Sequence, residues 1–124
     1  MPHIEETSNS VLVVDDEKLI RWSLRERLEQ AGYRVVVAGS GRETLEQLDD
    51  HVAIVLLDVR LPDIDGLELC DRIRLRRPHC RVIVMTAEWT PELVHRALVH
   101  GAFDVLQKPF NLDDMARAVA TALA

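Results

Sequence analysis

The sequence predicts an α/β fold, (βα)5, in which one parallel sheet lies between two layers of helices. Two observations lead to this prediction. Short, β-branched apolar runs alternate five times with longer segments whose apolar residues recur at helical spacing. Each run also ends abruptly at polar residues, as a strand buried on both faces does where it reaches a loop. A chain of 124 residues fits one such domain.

The first strand is predicted over residues 11–14, because that apolar run stops at Asp15 and Asp16. The first helix follows from Lys18, and Gly32 is expected to end it. The remaining elements are predicted as strands at 35–37, 54–57, 82–85 and 103–106, and as helices at about 42–50, at 66–76, after Pro91 and after a capping Asn111. Residues 10–124 would form the domain, and residues 1–9 a leader.

Composition excludes several classes of function. The net charge of -6 argues against direct binding of nucleic acid, which needs clustered Lys and Arg. The apolar runs are far shorter than the roughly 20 residues of a membrane span. The acidic, polar start has no apolar signal core, so we expect the chain to remain in the cytoplasm. Cys70 and Cys80 lack metal-type or redox-type spacing and are interpreted as core residues.

Polar side chains at the strand ends form one constellation. In open parallel sheets the site lies beyond the carboxyl ends of the strands, where this chain places Asp15, Asp16, Asp58, Thr86 and Lys108. Three neighbouring carboxylates repel one another unless a hard divalent cation and an ammonium group compensate, so Mg²⁺ and Lys108 are expected there. Asp58 would then be a nucleophile toward phosphorus, with Thr86 and Lys108 donating to phosphoryl oxygens.

Four motifs surround these residues. They are Val13-Val14-Asp15-Asp16-Glu17, Leu57-Asp58-Val59-Arg60-Leu61-Pro62 with Asp65-Gly66, Met85-Thr86-Ala87, and Lys108-Pro109-Phe110. In these motifs, and along nearly its whole length, the chain resembles the receiver domains of bacterial response regulators. Ile20-Arg21-Trp22 and Gly101-Ala102-Phe103-Asp104 look most like receivers of the NtrC type, which govern AAA+ activators of transcription.

The resemblance implies a flavodoxin-like, three-layer fold with strand order 2-1-3-4-5. It implies that a sensor histidine kinase phosphorylates Asp58, and that Asp16, Asp58 and the backbone carbonyl of Arg60 bind Mg²⁺, with Asp15 acting mostly through water. It also implies a cis peptide between Lys108 and Pro109. We further expect an AAA+ or DNA-binding output domain outside this chain, a phosphorylation-dependent homodimer, and slow autodephosphorylation with no other enzymatic turnover.

Two features, one single position and one pair of residues, distinguish this chain from many receivers. Val105 stands where an aromatic residue usually turns inward on activation, so we expect the switch to rely on Thr86, residues 87–90 and the helix after Pro91. Arg60 and Glu88 occupy positions that modulate autodephosphorylation in this family. We predict an ion pair between them that screens the attacking water.

Two other classes of function compete with this interpretation. A haloacid-dehalogenase-like phosphatase also uses an aspartate nucleophile, Mg²⁺, a hydroxyl residue and a lysine. Such a phosphatase needs a second aspartate two residues after the nucleophile as the general acid. Here that position is Arg60, so this class is disfavoured. A pseudo-receiver that only binds partners is disfavoured because every expected position is filled.

Overall fold

The computed structural model describes residues 10–124, and the predicted leader over residues 1–9 lies outside the described residues. The predicted alternation of five strands and five helices is confirmed. In chain order the elements are β1 (Ser10–Val14), α1 (Lys18–Gln30), β2 (Arg34–Ala38), α2 (Gly41–Gln47), β3 (Val52–Asp58), α3 (Gly66–Arg76), β4 (Arg81–Thr86), α4 (Pro91–Val99), β5 (Asp104–Gln107) and α5 (Leu112–Leu123).

All neighbouring strands are parallel and follow the order β2-β1-β3-β4-β5, as expected. Successive side chains of a strand point to opposite faces of the sheet. Val11 and Val13 of β1 therefore pack into one core cluster, and Leu12 and Val14 into another on the other face. Each fully buried side chain of this size contributes roughly 1.5–3 kcal/mol. The two clusters fix the central strands, and with them the residues at the strand ends.

Helix ends follow the local signals in the sequence. Gly32 lies just after α1 with φ +97°, a conformation that only glycine adopts easily. The Asn111 side chain accepts hydrogen bonds from the amides of Asp113 and Asp114 and so caps α5. These contacts satisfy backbone groups that a helix end would otherwise leave unpaired.

Several strands are one or two residues longer than predicted, and two predicted ends include residues that lie outside the element. Helix α2 ends at Gln47 instead of at about residue 50, because Leu48 is extended and buried in the core. The Asp49 side chain then accepts the amide of His51 and starts a turn into β3. Strand β5 begins at Asp104, one residue later than predicted, and Phe103 instead contacts the guanidinium of Arg81.

Both cysteines are free and buried, as expected. Burial raises the pKa of the Cys70 thiol to about 11 and that of Cys80 to about 12. The thiols therefore stay protonated at neutral pH and act as small apolar groups in the core. Over the part of the chain that the structure describes, no helix has the length and apolar character needed to cross a membrane.

Candidate functional site at the strand ends

Five predicted side chains lie together at the carboxyl edge of the sheet. Asp15 follows β1 and is fully buried, while Asp58 ends β3 and Thr86 ends β4, at 7% and 3% exposure. Lys108 reaches them from the loop after β5, and Asp16 lies at the exposed rim. Burial of three polar side chains at one point is costly unless they have partners. Their hydrogen bonds therefore define the site.

Lys108 is the cation of this site. Its Nζ donates to Asp15 Oδ2 at 2.7 Å and to Asp58 Oδ2 at 3.3 Å. Burial lowers the pKa of Lys108, but the hydrogen bond to Asp15 and the charges of both carboxylates outweigh it and raise the pKa above 10.5. Its amide donates to the carbonyl of Thr86 at 2.7 Å, and the predicted cis peptide to Pro109 is present. The ammonium group therefore stays charged at neutral pH.

The pKa of Asp58 is also raised, but for a carboxyl group this favours the neutral form. Burial raises the pKa of its carboxyl above the ordinary 3.8, and the nearby charge of Asp15 adds to this. The amide of Arg60, which donates to Asp58 Oδ1 at 3.1 Å, and the Lys108 ammonium act in the other direction without cancelling it. A carboxylate that the site solvates incompletely is a better nucleophile than one fully surrounded by water. Because ionisation of Asp58 costs more in the folded state than in the unfolded state, it also lowers the stability of the fold.

We expect Asp58→Asn to raise the melting temperature by a few degrees at neutral pH in the presence of EDTA. A raised pKa means that the native state binds more protons than the unfolded state. Wild-type stability therefore falls as pH rises through the range between the unfolded and the folded pKa of Asp58. The difference between variant and wild type should therefore vanish below pH 3.8, the ordinary value. Thermal unfolding at several pH values measures it. A variant less stable than wild type at neutral pH would contradict the assignment.

The main chain around Asp15 is held by a residue that the sequence did not single out for the site. Arg21 Nη1 donates to the Asp15 carbonyl at 2.7 Å, and the Glu17 amide donates to Asp15 Oδ1 at 2.9 Å. Arg21 lies one turn into α1, and its contact with the strand end depends on how α1 packs against the sheet. We assign Arg21 a positioning role.

The loop after β3 passes very close to the next helix. The amide of Gly66 donates to the carbonyl of Val59 at 2.9 Å. A Cβ at Gly66 would lie 2.6 Å from Val59 Cα and 2.7 Å from the Asp58 carbonyl oxygen. Only glycine fits there without moving the main chain of the residue that carries the central carboxylate. Asp65 caps α3 by accepting the amide of Leu67 at 2.7 Å.

Thr86 connects the site to an exposed ion pair. The Glu88 amide donates to Thr86 Oγ1 at 2.9 Å, which leaves the hydroxyl hydrogen available for another acceptor. The predicted ion pair between Arg60 and Glu88 is present, with side chains 73% and 65% exposed. It joins the loop after β3 to the loop after β4, next to Asp58. Val105 is buried in the same core cluster as Val84 of β4.

The carboxylates meet a simple test for a cation site. One oxygen from each of Asp15, Asp16 and Asp58 lies within 4.8 Å of the others. Carboxylate oxygens are the ligands that hard divalent cations such as Mg²⁺ prefer. The charge of three carboxylates also exceeds what Lys108 alone can balance. The donor set therefore fits a divalent cation, while a ligand role for the Arg60 carbonyl stays a prediction.

Comparisons with known proteins agree on one family. A family profile described as "Response regulator receiver domain" matches residues 11–120. The DNA-binding transcriptional regulator NtrC of Escherichia coli (strain K12) is 41% identical over 115 residues, which are 92% of this chain but only 24% of that protein. The chain is also similar to Regulatory protein AtoC of the same strain, at 37% identity over 93% of this chain and 25% of that protein.

Two solved structures share the whole architecture. The structure described as "BeF3 Activated DrrB Receiver Domain" matches with a TM-score of 0.87 at 34% identity, over 94% of this chain and 97% of that one. A CheY-like response regulator receiver domain protein from Methanospirillum hungatei JF-1 matches with a TM-score of 0.88 at 30% identity, over 94% of both chains. The site at the strand ends therefore lies in a fold shared with these proteins.

Proposed function

Because this chain belongs to the family of response regulator receiver domains, we propose that Asp58 is its phosphoacceptor. The observation that carries this assignment is the Lys108 ammonium, which donates both to Asp58 and to the neighbouring carboxylate of Asp15. Its buried carboxyl with a raised pKa supports a nucleophilic role. The domain over residues 10–124 would receive the phosphoryl group from a phosphohistidine of a sensor histidine kinase.

In the proposed transfer, one carboxylate oxygen of Asp58 forms a bond to phosphorus while the bond from phosphorus to the histidine nitrogen breaks. The electron pair of that bond stays on the imidazole. Lys108 would donate to one phosphoryl oxygen, and the Thr86 hydroxyl to another. The Lys108 ammonium already contacts Asp58, so it needs little reorganisation when the phosphoryl group arrives, whereas the Thr86 side chain must turn.

We also propose that Mg²⁺ binds to Asp15, Asp16, Asp58 and the backbone carbonyl of Arg60, with Asp15 acting mostly through water. When bound, the ion neutralises negative charge that the phosphoryl group brings close to the carboxylates. The residues of this chain supply the rest. Lys108 balances Asp15, and the Arg60 amide orients Asp58 through its hydrogen bond.

The proposed switch uses the loop after β4. If the Thr86 hydroxyl turns toward a phosphoryl oxygen, the hydrogen bond that it accepts from the Glu88 amide must lengthen or break. Residues 87–90 and α4 would then shift, with no aromatic ring moving at the position of Val105. Trp89, which is 44% exposed in this loop, provides a fluorescence signal for the change.

For the wider role, we propose that the domain controls an output and that this output is transcription. NtrC is described as a DNA-binding transcriptional regulator, and this chain spans about a quarter of it. An AAA+ or DNA-binding output domain and a phosphorylation-dependent homodimer belong to this proposal, as does a cytoplasmic location. We propose no direct contact with nucleic acid, and no turnover beyond self-phosphorylation and slow autodephosphorylation.

The function is tested by measuring the intact mass after incubation with acetyl phosphate. We expect a phosphoryl adduct that requires Mg²⁺, disappears in EDTA and is absent in Asp58→Asn. Asp63→Asn serves as the control and should form the adduct, because it removes an exposed carboxylate from the loop between β3 and α3 and leaves Asp58 intact. An adduct retained in Asp58→Asn would overturn the assignment. Binding of Mg²⁺ without any adduct, even with a kinase, would favour the pseudo-receiver.

We expect Arg60→Ala to shorten the lifetime of the phosphorylated domain severalfold. The ion pair with Glu88 joins the loop that follows Asp58 to the loop after β4, and we expect its removal to open a path for water. The pair is exposed, so it contributes little stability, about 0–1 kcal/mol. The lifetime is followed by loss of the adduct after the donor is removed.

Glu88→Ala should have the same effect as Arg60→Ala. Arg72→Ala is the matched control, because it also breaks an exposed ion pair, with Glu68 in α3. An unchanged or longer lifetime in Arg60→Ala would exclude the screening role of the pair.

A further inference from the structure

A polar cavity lies near the amino-terminal ends of β4 and β5, at the other end of the strands from the site around Asp58. Its volume of about 420 Å³ is within the range of small-molecule sites, roughly 300–1,000 Å³. The end of α3, the turn before β4 and the turn between α4 and β5 enclose it. Its lining includes Arg74, His79, Arg81 and Phe103.

Two guanidinium groups line this cavity without a carboxylate partner. Within residues 10–124, neither Arg74 nor Arg81 forms an ion pair. Nearby Arg77, by contrast, pairs with Asp50. Asp104 follows Phe103, but it is not among the residues that line the cavity. In a chain of net charge -6, the cavity is therefore a local concentration of positive charge.

Both guanidinium groups are positioned by packing. Arg81 Cζ lies 4.7 Å from the centroid of the Phe103 ring, a cation–π contact. The side chain of Arg74 lies across Gly101, which has φ +94° in the turn after α4. A Cβ at Gly101 would overlap the Arg74 guanidinium. Groups already held in place lose less side-chain freedom when a ligand binds.

We propose that this cavity binds the phosphate group of a small phosphorylated molecule. The planar guanidinium fork matches phosphate oxygens in pairs, and two such groups balance the charge of a phosphate monoester. Arg74 and Arg81 donate to the phosphate, and the exposed His79 imidazole contributes a further donor. A ligand bound there connects α3, β4 and the turn before β5. The site is separate from the proposed phosphorylation of Asp58.

The test is an amide NMR titration of the full chain at constant ionic strength, which removes general screening effects. The probes are adenosine monophosphate, inorganic phosphate and uncharged adenosine. We expect saturable shifts in residues 79–81 and 101–103 with adenosine monophosphate, and none with adenosine. The same shifts with inorganic phosphate would show that phosphate alone is sufficient, and their absence that the organic part is also needed.

Arg74→Gln and Arg81→Gln should each weaken binding about tenfold, as expected for loss of one charge-assisted contact. Arg34→Gln is the matched control, because Arg34 is exposed at the amino end of β2 and removal of its charge changes the net charge equally. Binding that persists in the double variant overturns the proposal. So does equal weakening by Arg34→Gln, or shifts confined to residues around Asp58 and Lys108.

Discussion

Lys108→Met is expected to lower the free energy of unfolding by about 3 kcal/mol in EDTA, the cost of removing one partner from a buried ion pair. Asp15 is fully buried and Asp58 is nearly so, and Lys108 is the cation that contacts both. Methionine preserves the length and the apolar stem of the side chain. The loss of stability therefore measures the effect of removing the charge and not the effect of a cavity. Urea-induced unfolding measures the change.

The pH dependence of this effect has a definite sign. The folded-state pKa of Lys108 lies above 10.5, so its stabilising contribution is complete below that value and is lost as pH rises through the folded pKa. Added Mg²⁺ should recover part of the stability of the variant, because a divalent cation balances the same carboxylates.

Lys18→Met is the matched control for this experiment. Lys18 is the only other lysine of the chain, and it is exposed at the start of α1. We expect its replacement to change stability by less than about 0.5 kcal/mol. Equal losses in the two variants, or wild-type stability of Lys108→Met, would contradict the role assigned to the buried ammonium group.

Gly66→Ala is expected to destabilise the domain by roughly 3 kcal/mol, the upper part of the range for overpacking. The added methyl group would lie 2.6 Å from Val59 Cα and 2.7 Å from the Asp58 carbonyl oxygen. Backbone atoms cannot rotate away as a flexible side chain can, so the main chain at Asp58 and Val59 must move. We therefore expect slower phosphorylation by acetyl phosphate as well.

Gly32→Ala separates close packing from backbone conformation. Gly32 has φ +97° but nothing within 4 Å of an added Cβ, so its replacement should cost about 1 kcal/mol for the left-handed conformation alone. Its phosphorylation rate should stay at the wild-type value. If Gly66→Ala phosphorylated as fast as Gly32→Ala, the close approach of α3 to Asp58 would have no effect on the chemistry.

Most of the fold could be predicted because the sequence repeats a local pattern. Strand β1 is a β-branched run that stops at Asp15, and α5 begins after Asn111, so each boundary has its own signal. The wrong end of α2 has a physical reason. Leu48 continues the apolar spacing of a helix, but it packs into the core from an extended backbone, and this tertiary contact has no local signal.

The site could be predicted in composition but not in its supporting contacts. The parallel arrangement brings strand ends together, so the proximity of Asp15, Asp58 and Lys108 follows from topology. The contact of Arg21 with the Asp15 carbonyl depends on the exact phase of α1 against the sheet. Similarly, Asp63 accepts the amides of Gly41 and Arg42 from more than twenty residues away. Such long-range pairings need the packed structure.

The order of the strands also bears on how copies of this domain can meet. Strands β2 and β5 are the edges of the sheet, and an open edge invites another strand to pair with it. Here β5 has only four residues and begins at the exposed, charged Asp104, while β2 begins at the exposed Arg34. Short, charged edges protect against edge-to-edge aggregation. In the phosphorylation-dependent homodimer that we propose, contacts between copies are therefore expected at helix surfaces, which can separate again after dephosphorylation.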